Sequence, residues 1–415
     1  MVGRVDTAGN RVIISGALQL DQLWRVSATL HNLTVKSGYE DIALDFSACS
    51  AAMPAPMLGL CAEANGLRDR GIDVTLTLPS EERLARLFLN ANWANIIDPE
   101  HYRRSQYRGY VNLPVSRFQS HVDQPGVVNR LVESILSSVP GIAREDLAAV
   151  EWSLNEVTDN VLVHSQSASG GFVQLTNYGA RRRVEFSVAD AGVGIPNTLR
   201  GRFADLTDPE LIEKATNEGV TRDPALGQGN GLYGTFRVAS ANGGSFQVLS
   251  GYGLLRYAHE ELRLTNERVP FPGTLVVASI DCANPQALAD ALRFGDERYR
   301  PLDYIEMRYE DRTSDDLVFH MHEEASSFGS RVAGTPIRNR IANLVRMNPS
   351  RRLRVDMSQV PLLSSSFADE VFGKLFRQLG PTGFAGAIDL TEVGPTARAL
   401  IDKAIYQRMQ GGADQ

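Results

Sequence analysis

The chain has 415 residues, 43% of them hydrophobic and 22% charged, which predicts roughly two to four domains with buried cores and excludes a disordered or fibrous protein. Its net charge of −7 argues against nucleic-acid binding through a broad basic surface. No apolar run approaches the roughly 18–20 residues that span a bilayer, and the first residues do not resemble a signal peptide. We therefore expect a soluble, cytoplasmic protein that does not bind membranes.

The first segment, about residues 1–108, alternates β-rich runs with helical runs. Residues 41–49 alternate apolar and polar side chains over one strand length, whereas residues 56–71 have the spacing of an amphipathic helix. Alternating elements of this length indicate a small α/β domain. The expected elements are strands at 11–18, 41–49 and 72–79 and helices at 21–38, at 56–71 and after Ser80, which is the expected cap of the last helix.

The rest of the chain divides into a central segment, about residues 109–284, and a third segment, about residues 285–415. The polar stretch 110–126 is either a linker or the first strand of the central segment. The third segment repeats the order of the first, because residues 44–60 and 355–371 both place a strand ending in apolar–Asp–apolar–Ser before a loop and an amphipathic helix. We therefore predict an α/β protein in which two related small domains flank a different central one.

A predicted helix at residues 151–164 of the central segment has two distinct faces. Glu156, Asn160 and His164 recur every four residues and therefore share one face. A carboxylate and a carboxamide one turn apart suit a hydrated divalent cation, since Asn supplies an oxygen ligand and Glu can orient a water or hydroxyl. A solvated polar face is the alternative, and His164 fits a structural role at the helix end better than a catalytic one. The buried stripe is expected to consist of Leu154, Val157 and Val161.

Two glycine-containing loops follow this helix. A strand at 184–188 breaks near Asp190, where a buried carboxylate would offer acceptor oxygens to an amino group such as the exocyclic amine of adenine. Gly192 and Gly194 let the backbone turn tightly and approach a flat ring, although an ordinary turn is the alternative. The second loop, 227–234, leads into a helix and would present backbone N–H groups to phosphates. It fits neither the Walker A pattern nor a Rossmann loop.

These motifs occur in a fixed order along the chain. They read Glu156-x-x-x-Asn160, Asp190-x-Gly192-x-Gly194, Gly227-x-Gly229-x-Gly231 and Gly273-Thr274. The ordered set resembles the GHKL superfamily of ATP-binding domains, which includes gyrase, heat-shock chaperone, histidine kinase and mismatch-repair ATPases. The resemblance covers most of the central segment and implies an α/β sandwich that binds ATP and Mg²⁺.

The resemblance also implies a role for each motif residue. Glu156 would be the general base or water-orienting residue, and Asn160 would be the Mg²⁺ ligand. Asp190 would accept a hydrogen bond from the adenine amine, with Thr274 backing it through a water. Residues 197–226 would form a mobile lid. The other implied site residues are Gly192 and Gly194 around the adenine, Gly227, Gly229 and Gly231 around the phosphates, and Arg222 at the terminal phosphate.

Within the superfamily the helix motif looks most like the anti-sigma-factor serine kinase branch. A sensor histidine kinase would carry a phosphoaccepting histidine on a dimerisation helix upstream of the ATP-binding domain. Residues 109–150 offer only His121, outside any long heptad pattern. We therefore disfavour an autophosphorylating histidine kinase.

Both flanking segments resemble STAS domains, the small α/β modules of sulfate transporters and anti-sigma-factor antagonists, and the third resembles the STAS-like domain of unknown function. In that family a serine at the strand–loop–helix junction accepts phosphate. The first segment has Pro54 there, without a hydroxyl, so we expect a docking module. The third segment has a serine cluster, in which Ser365 or Ser366 is the candidate phosphoacceptor; a helix cap with solvated neighbours is the alternative.

The sequence therefore predicts an ATP-binding regulatory protein that acts as a serine kinase or nucleotide switch on STAS-type or other regulatory partners, its own flanking domains included. A slow ATPase that uses lid closure for conformational work is the alternative. A non-catalytic ATP-sensing scaffold is a third hypothesis. The presence of Glu156 argues against it, since a pure sensor needs no base. A homodimer is compatible with all three.

Overall fold

The computed structural model describes residues 3–107, 111–220, 231–282, 290–294, 297–298, 303–311, 314–325, 327–360 and 362–410. Over these residues the chain is a mixed α/β protein, as predicted, with several separate sheets. The chain forms two compact units. The first unit comprises Met1–Leu131, Ala149–Tyr178 and Arg183–Arg300, and the second comprises Val132–Ala148, Gly179–Arg182 and Pro301–Gln415.

The first sheet of the first unit is mostly parallel. Its order is β1-β2-β3-β5, with β4 beside β2, and only the β1–β2 hairpin is antiparallel among its described pairs. Val12 and Ile14 alternate with more exposed neighbours in β2 and are buried, so the predicted strand is confirmed. The strand expected at 41–49 is instead two short strands. The five strands are β1 (Arg4–Ala8), β2 (Arg11–Leu18), β3 (Asp41–Asp45), β4 (Cys49–Ala52) and β5 (Asp73–Thr77).

The three predicted helices of this segment are present, but the first ends at His31 and continues as a π-helical turn, Asn32–Lys36. A short fourth helix, Trp93–Ile97, was not predicted, and the cap of the third helix differs from the prediction. Ser80 was the expected cap, but the cap is Glu81, whose carboxylate accepts hydrogen bonds from the N–H groups of Arg83 (2.9 Å) and Leu84 (2.7 Å). A carboxylate also suits the positive end of the helix dipole. The helices are α1 (Leu20–His31), α2 (Pro54–Asp69), α3 (Glu82–Asn90) and α4 (Trp93–Ile97).

The second sheet of this unit is antiparallel in the order β6-β7-β8-β10-β9. The polar stretch 110–126 contributes its first strand, β6. The last strand along the chain has 21 residues, because it forms a long hairpin with β9 through His259 and Glu260, both at positive φ. The strands are β6 (Ser116–Phe118), β7 (Gly171–Tyr178), β8 (Arg183–Asp190), β9 (Ser245–Ala258) and β10 (Glu261–Asp281). The helices of the central segment are α5 (Gln124–Ser138), α6 (Arg144–Asn160), α7 (Ile195–Leu199), α8 (Asp208–Ala215) and α9 (Gly231–Ser240). The end of α5 and the beginning of α6 belong to the second unit.

One hydrophobic core joins the helices of the first segment to the antiparallel sheet. Helix α1 packs on β10, and α2 packs on β7 and β8. The rings of Trp24 in α1 and Phe271 in β10 meet edge to face, with centroids 6.2 Å apart. Leu23 and Leu275 are fully buried in the same cluster. The helices that a docking module would offer to a partner are thus already buried against the central sheet.

The second unit contains a parallel sheet, β13-β14-β15. Its strands are β13 (Leu317–His320), β14 (Leu353–Asp356) and β15 (Ile388–Thr391). A pair of two-residue strands, β11 (Arg293–Phe294) with β12 (Glu297–Arg298), precedes them in the chain and belongs to the first unit. The helices of the second unit are α10 (Tyr304–Tyr309), α11 (Met321–Glu324), α12 (Arg331–Met347), α13 (Ser365–Ala368), α14 (Lys374–Ala387) and α15 (Pro395–Gln410). A π-helical turn, Asp369–Gly373, joins α13 to α14.

The predicted repetition between the first and third segments is visible in one local structure. After β3, the Oδ1 atom of Asp45 accepts a hydrogen bond from the N–H of Ser47 at 2.9 Å. After β14, the Oδ1 atom of Asp356 accepts one from the N–H of Ser358 at 2.8 Å. The shared apolar–Asp–apolar–Ser pattern therefore forms the same Asx turn in both segments.

Candidate functional site

Helix α6 presents the predicted carboxylate and carboxamide side by side. Its apolar stripe is buried as expected, while Glu156 and Asn160 are half-buried one turn apart. Burial raises the pKa of Glu156, and the negative charge of Asp159 raises it further. His164 lies in the π-helical turn Val161–Ser165 that follows the helix, in agreement with a position at the helix end.

The glycine-rich segment reaches this pair at Gly231, the first residue of α9. Gly231 is buried, and a Cβ at this position would overlap Oε2 of Glu156 and lie 3.4 Å from Nδ2 of Asn160. Two motifs that are separated by about 70 residues in the sequence therefore meet, as expected of a single site. The other predicted phosphate-loop residues, Gly227, Gly229 and Arg222, lie outside the described residues.

Asp190 ends β8 and is almost fully buried, with 3% of its surface exposed. Its Oδ1 atom accepts a hydrogen bond from the N–H of Gly192 at 2.8 Å. Burial raises the pKa of this carboxyl to about 7, although hydrogen bonds from the backbone of Gly192 and Thr274 act in the opposite direction. Thr274 is the direct partner of Asp190 across β8 and β10, so the two predicted adenine-site residues are neighbours.

Ser250 belongs to the same cluster, and the sequence did not predict it. It is paired with Thr274 from the β9 side, fully buried, and its Oγ lies 3.1 Å from Oγ1 of Thr274. The hydroxyl donates to the carbonyl of Gly273 (2.7 Å) and accepts from the N–H of Ile195 (2.9 Å). A serine that interrupts the apolar run of β9 was the available signal, but the sequence does not show which strands are paired.

The two glycines after Asp190 have close neighbours in the structure. Gly194 has φ +78°, and a Cβ there would lie 2.8 Å from Oγ of Ser250. A Cβ on Gly192 would overlap the carbonyl oxygen of Ser165, which also accepts a hydrogen bond from the N–H of Val193 at 2.8 Å. The loop after Asp190 is thereby tied to the turn that follows α6, next to Asn160. The role of the two glycines in shaping an adenine pocket stays a prediction.

The predicted lid, residues 197–226, is partly a packed structure. Helix α8 has a capping box between Thr207 and Glu210, and its Leu211 and Ile212 are fully buried. Asp208 anchors its beginning, because its carboxylate accepts a hydrogen bond from the N–H of Tyr252 in β9 (2.7 Å). Residues 208–215 are therefore part of the core around β9, and residues 221–230 lie outside the described part of the chain.

The serine cluster begins helix α13. Ser364 caps the helix, because its Oγ accepts a hydrogen bond from the N–H of Phe367 at 3.1 Å, which confirms the capping alternative for this serine. Ser366 is half-buried, with its Oγ 3.0 Å from that of Ser364, whereas Ser365 is exposed. Ser365 is thus the more accessible of the two candidate phosphoacceptors.

The acidic residues that follow the cluster are already paired with cations. Arg408 holds both carboxylate oxygens of Asp369 at 2.7 Å, and Arg331 reaches the same group at 3.0 Å. Glu370 is buried and forms ion pairs with Lys374 and Arg338. The negative charge of Asp369 and Glu370 is therefore balanced by four basic side chains.

Comparison with known proteins identifies one part of the chain. Residues 333–393 match a family described as "STAS-like domain of unknown function (DUF4325)". No curated protein matches the chain. Across the described residues, no helix has the length and apolar character needed to cross a membrane. The matched range includes β14, the serine cluster and β15, so the third segment contains a STAS-like domain.

Proposed function

We propose that the central segment binds Mg²⁺–ATP and acts as a serine kinase or nucleotide switch toward STAS-type domains. The observation that carries this proposal is the contact of Gly231 with Glu156 and Asn160, which brings the glycine-rich segment to the acidic helix. The ordered motifs that resemble the GHKL superfamily, and within it the anti-sigma-factor serine kinases, support the same assignment.

The described residues include candidates to bind the adenine and the Mg²⁺ of the nucleotide. Asp190 offers a buried carboxylate that an adenine amine would complement, since a buried charge is stabilised by each hydrogen bond it accepts. Asn160 offers a hard oxygen ligand for Mg²⁺, and the Ser165 carbonyl links the loop after Asp190 to the same helix end. The Mg²⁺ ligand and the loop after the adenine-binding carboxylate are therefore connected through α6 and its following turn.

Glu156 is the residue that would move a proton. Mg²⁺–ATP, when bound, would supply the terminal phosphoryl group, with ADP as the leaving group. Glu156 accepts the proton of the attacking hydroxyl, and a pKa raised by burial makes it a stronger base than an exposed glutamate. If the hydroxyl belongs to a serine, the reaction is a kinase reaction; if it belongs to water, the chain is the slow ATPase that is the alternative.

The STAS-like domain of the same or another chain supplies a candidate acceptor. Ser365 is exposed at the beginning of α13, one helical turn before Asp369. A phosphate on Ser365 would add about −1.5 to −2 charges and compete with Asp369 for Arg331 and Arg408. Because Arg408 lies in α15, such competition gives phosphorylation a means of loosening this helix from the domain.

Incubation of the purified full chain with Mg²⁺ and terminally labelled ATP tests the proposal. Label on the protein that is lost in Glu156→Ala and reduced in a Ser365→Ala, Ser366→Ala double variant supports the kinase. Label released only as inorganic phosphate identifies the slow ATPase. Absence of ATP binding by calorimetry contradicts the proposed function as a whole.

A further inference from the structure

Helix α2 contains two interior glycines, Gly59 and Gly66, which are seven residues apart and therefore lie on the same side of the helix. A glycine inside a helix costs about 1 kcal/mol relative to alanine. Both are buried, so each position requires a reason for the absence of a side chain. The neighbours of the two glycines differ in kind.

Gly59 faces side chains of the core. A Cβ there would lie 2.7 Å from a terminal methyl of Leu23 and 3.2 Å from one of Leu275. These atoms are the far ends of flexible side chains, which can turn aside. An alanine at position 59 is therefore accommodated by changes in side-chain rotamers.

Gly66 faces the loop that follows Asp190. A Cβ there would lie 2.7 Å from the Cβ of Ala191, whereas carbon atoms in contact normally stay about 3.5–4.0 Å apart. The Cβ of Ala191 is fixed to the backbone and cannot turn aside. Relief of the overlap therefore requires a movement of about 1 Å by either α2 or the loop.

Helix α2 is held in place by other elements of the first segment. Glu63 accepts a hydrogen bond from Ser27 of α1 at 2.7 Å in the buried interface between the two helices. Near the end of α2, the guanidinium of Arg68 donates to the carbonyl of Ile96 at 2.7 Å. Asn65, the neighbour of Gly66, donates to that same carbonyl at 3.1 Å. Because α2 is fixed at these points, we expect the loop to move, which strains the hydrogen bond from the N–H of Val193 to the carbonyl of Ser165.

We propose that α2 of the first segment sets the position of the Asp190 loop, and that Gly66 is a positioning residue for adenine binding. This inference rests on the proposed ATP site. The first segment is then a wall of the nucleotide site, and a partner or ligand that shifts α2 would change the affinity of the chain for ATP without touching the nucleotide.

Four variants of the full chain test this inference: Gly66→Ala, Gly59→Ala, Ala191→Gly and the Gly66→Ala, Ala191→Gly double variant. Calorimetry gives the Kd for ATP, and thermal unfolding gives the Tm. We expect Gly66→Ala to weaken ATP binding about tenfold, the loss expected when a charge-assisted hydrogen bond is misaligned. Gly59→Ala, which disturbs the same helix without reaching the loop, should leave the Kd within about twofold.

The double variant supplies the decisive comparison, because it removes one of the two colliding methyl groups. Its Kd should return to that of Ala191→Gly, and this comparison holds even if Gly66→Ala alone does not fold. Equal effects of Gly66→Ala and Gly59→Ala, or no recovery in the double variant, would overturn the inference while leaving the ATP site intact. A wild-type chain that does not bind ATP would overturn the proposed function and this inference together.

Discussion

Gly231 lies against Glu156, so closely that a Cβ on the glycine would overlap the carboxylate. The contact joins the glycine-rich segment to the acidic helix, and any side chain at position 231 would have to displace the carboxylate of Glu156. The effect of a side chain at position 231 on ATP binding can therefore be tested without any assumption about the reaction.

Gly231→Ala should reduce ATP binding about tenfold, because the new methyl group lies 3.3 Å from the Cβ of Glu156 and shifts the beginning of α9, to which the glycine-rich segment leads. Gly126→Ala is the matched control, since Gly126 is also helical and a Cβ there would meet nothing within 4 Å. Calorimetry with ATP measures the effect, and circular dichroism checks that both variants fold. Unchanged affinity in Gly231→Ala would remove Gly231 from the site.

Asp190→Asn should weaken ATP binding about 10- to 100-fold, because one acceptor oxygen becomes a donor. The pH dependence gives a second measurement. The pKa of Asp190 is raised to about 7, so the carboxylate gains a proton as the pH falls through 7 and ATP affinity should fall with it. That pH dependence should be absent from Asp190→Asn. If ATP affinity depended on pH in the same way in the wild type and in Asp190→Asn, Asp190 would be excluded as the residue that accepts from adenine.

Glu156→Ala should keep ATP affinity within a few-fold and lower turnover or phosphate transfer by about 10²–10⁴, the usual contribution of a positioned base. Glu156→Gln is the closer control, since it keeps the size of the side chain near Gly231 and removes only the basic oxygen. Asn160→Ala should instead weaken the Mg²⁺-dependent part of binding. Wild-type turnover in Glu156→Gln would show that Glu156 is not the base.

Glu63 should make the stability of the first unit depend on pH. Burial raises its pKa to about 7, while a hydrogen bond from Ser27 lowers it in part. The folded pKa therefore exceeds the ordinary value of 4.5, so the folded state binds the proton more tightly and loses stability as the pH rises from about 4.5 to about 7. Between pH 5 and pH 8, the titration of Glu63 lowers the free energy of unfolding by at most about 2–3 kcal/mol.

Urea unfolding at pH 5 and pH 8 measures this loss, and Glu63→Gln is the variant that isolates it. The glutamine keeps an acceptor for Ser27 but does not titrate, so the difference in unfolding free energy between the two pH values should shrink by about that amount. An identical pH dependence in wild type and variant would mean that Glu63 is solvated in the folded protein.

Local patterns in the sequence determined much of the secondary structure and part of the site. The alternation in β2 and the apolar stripe of α6 predicted buried faces correctly, since periodicity depends only on backbone geometry. The Asp–apolar–Ser pattern after β3 and β14 forms the same turn twice, because an Asx turn involves residues two apart. The choice between Ser80 and Glu81 as a cap was beyond such patterns, as both can accept the same hydrogen bonds.

Only the tertiary structure determined which residues distant in the sequence lie next to each other. The pairing of Thr274 with both Asp190 and Ser250 follows from the order β8-β10-β9, and sequence patterns do not show the order or register of strands that are distant in the chain. The packing of α1 and α2 on the central sheet was equally invisible, because an apolar helix face looks the same whether it covers its own sheet or another one. Gly66 lies against Ala191 only because α2 packs on the central sheet. The proposed link between the first segment and the nucleotide site therefore arises from the tertiary structure and could not be predicted from the sequence.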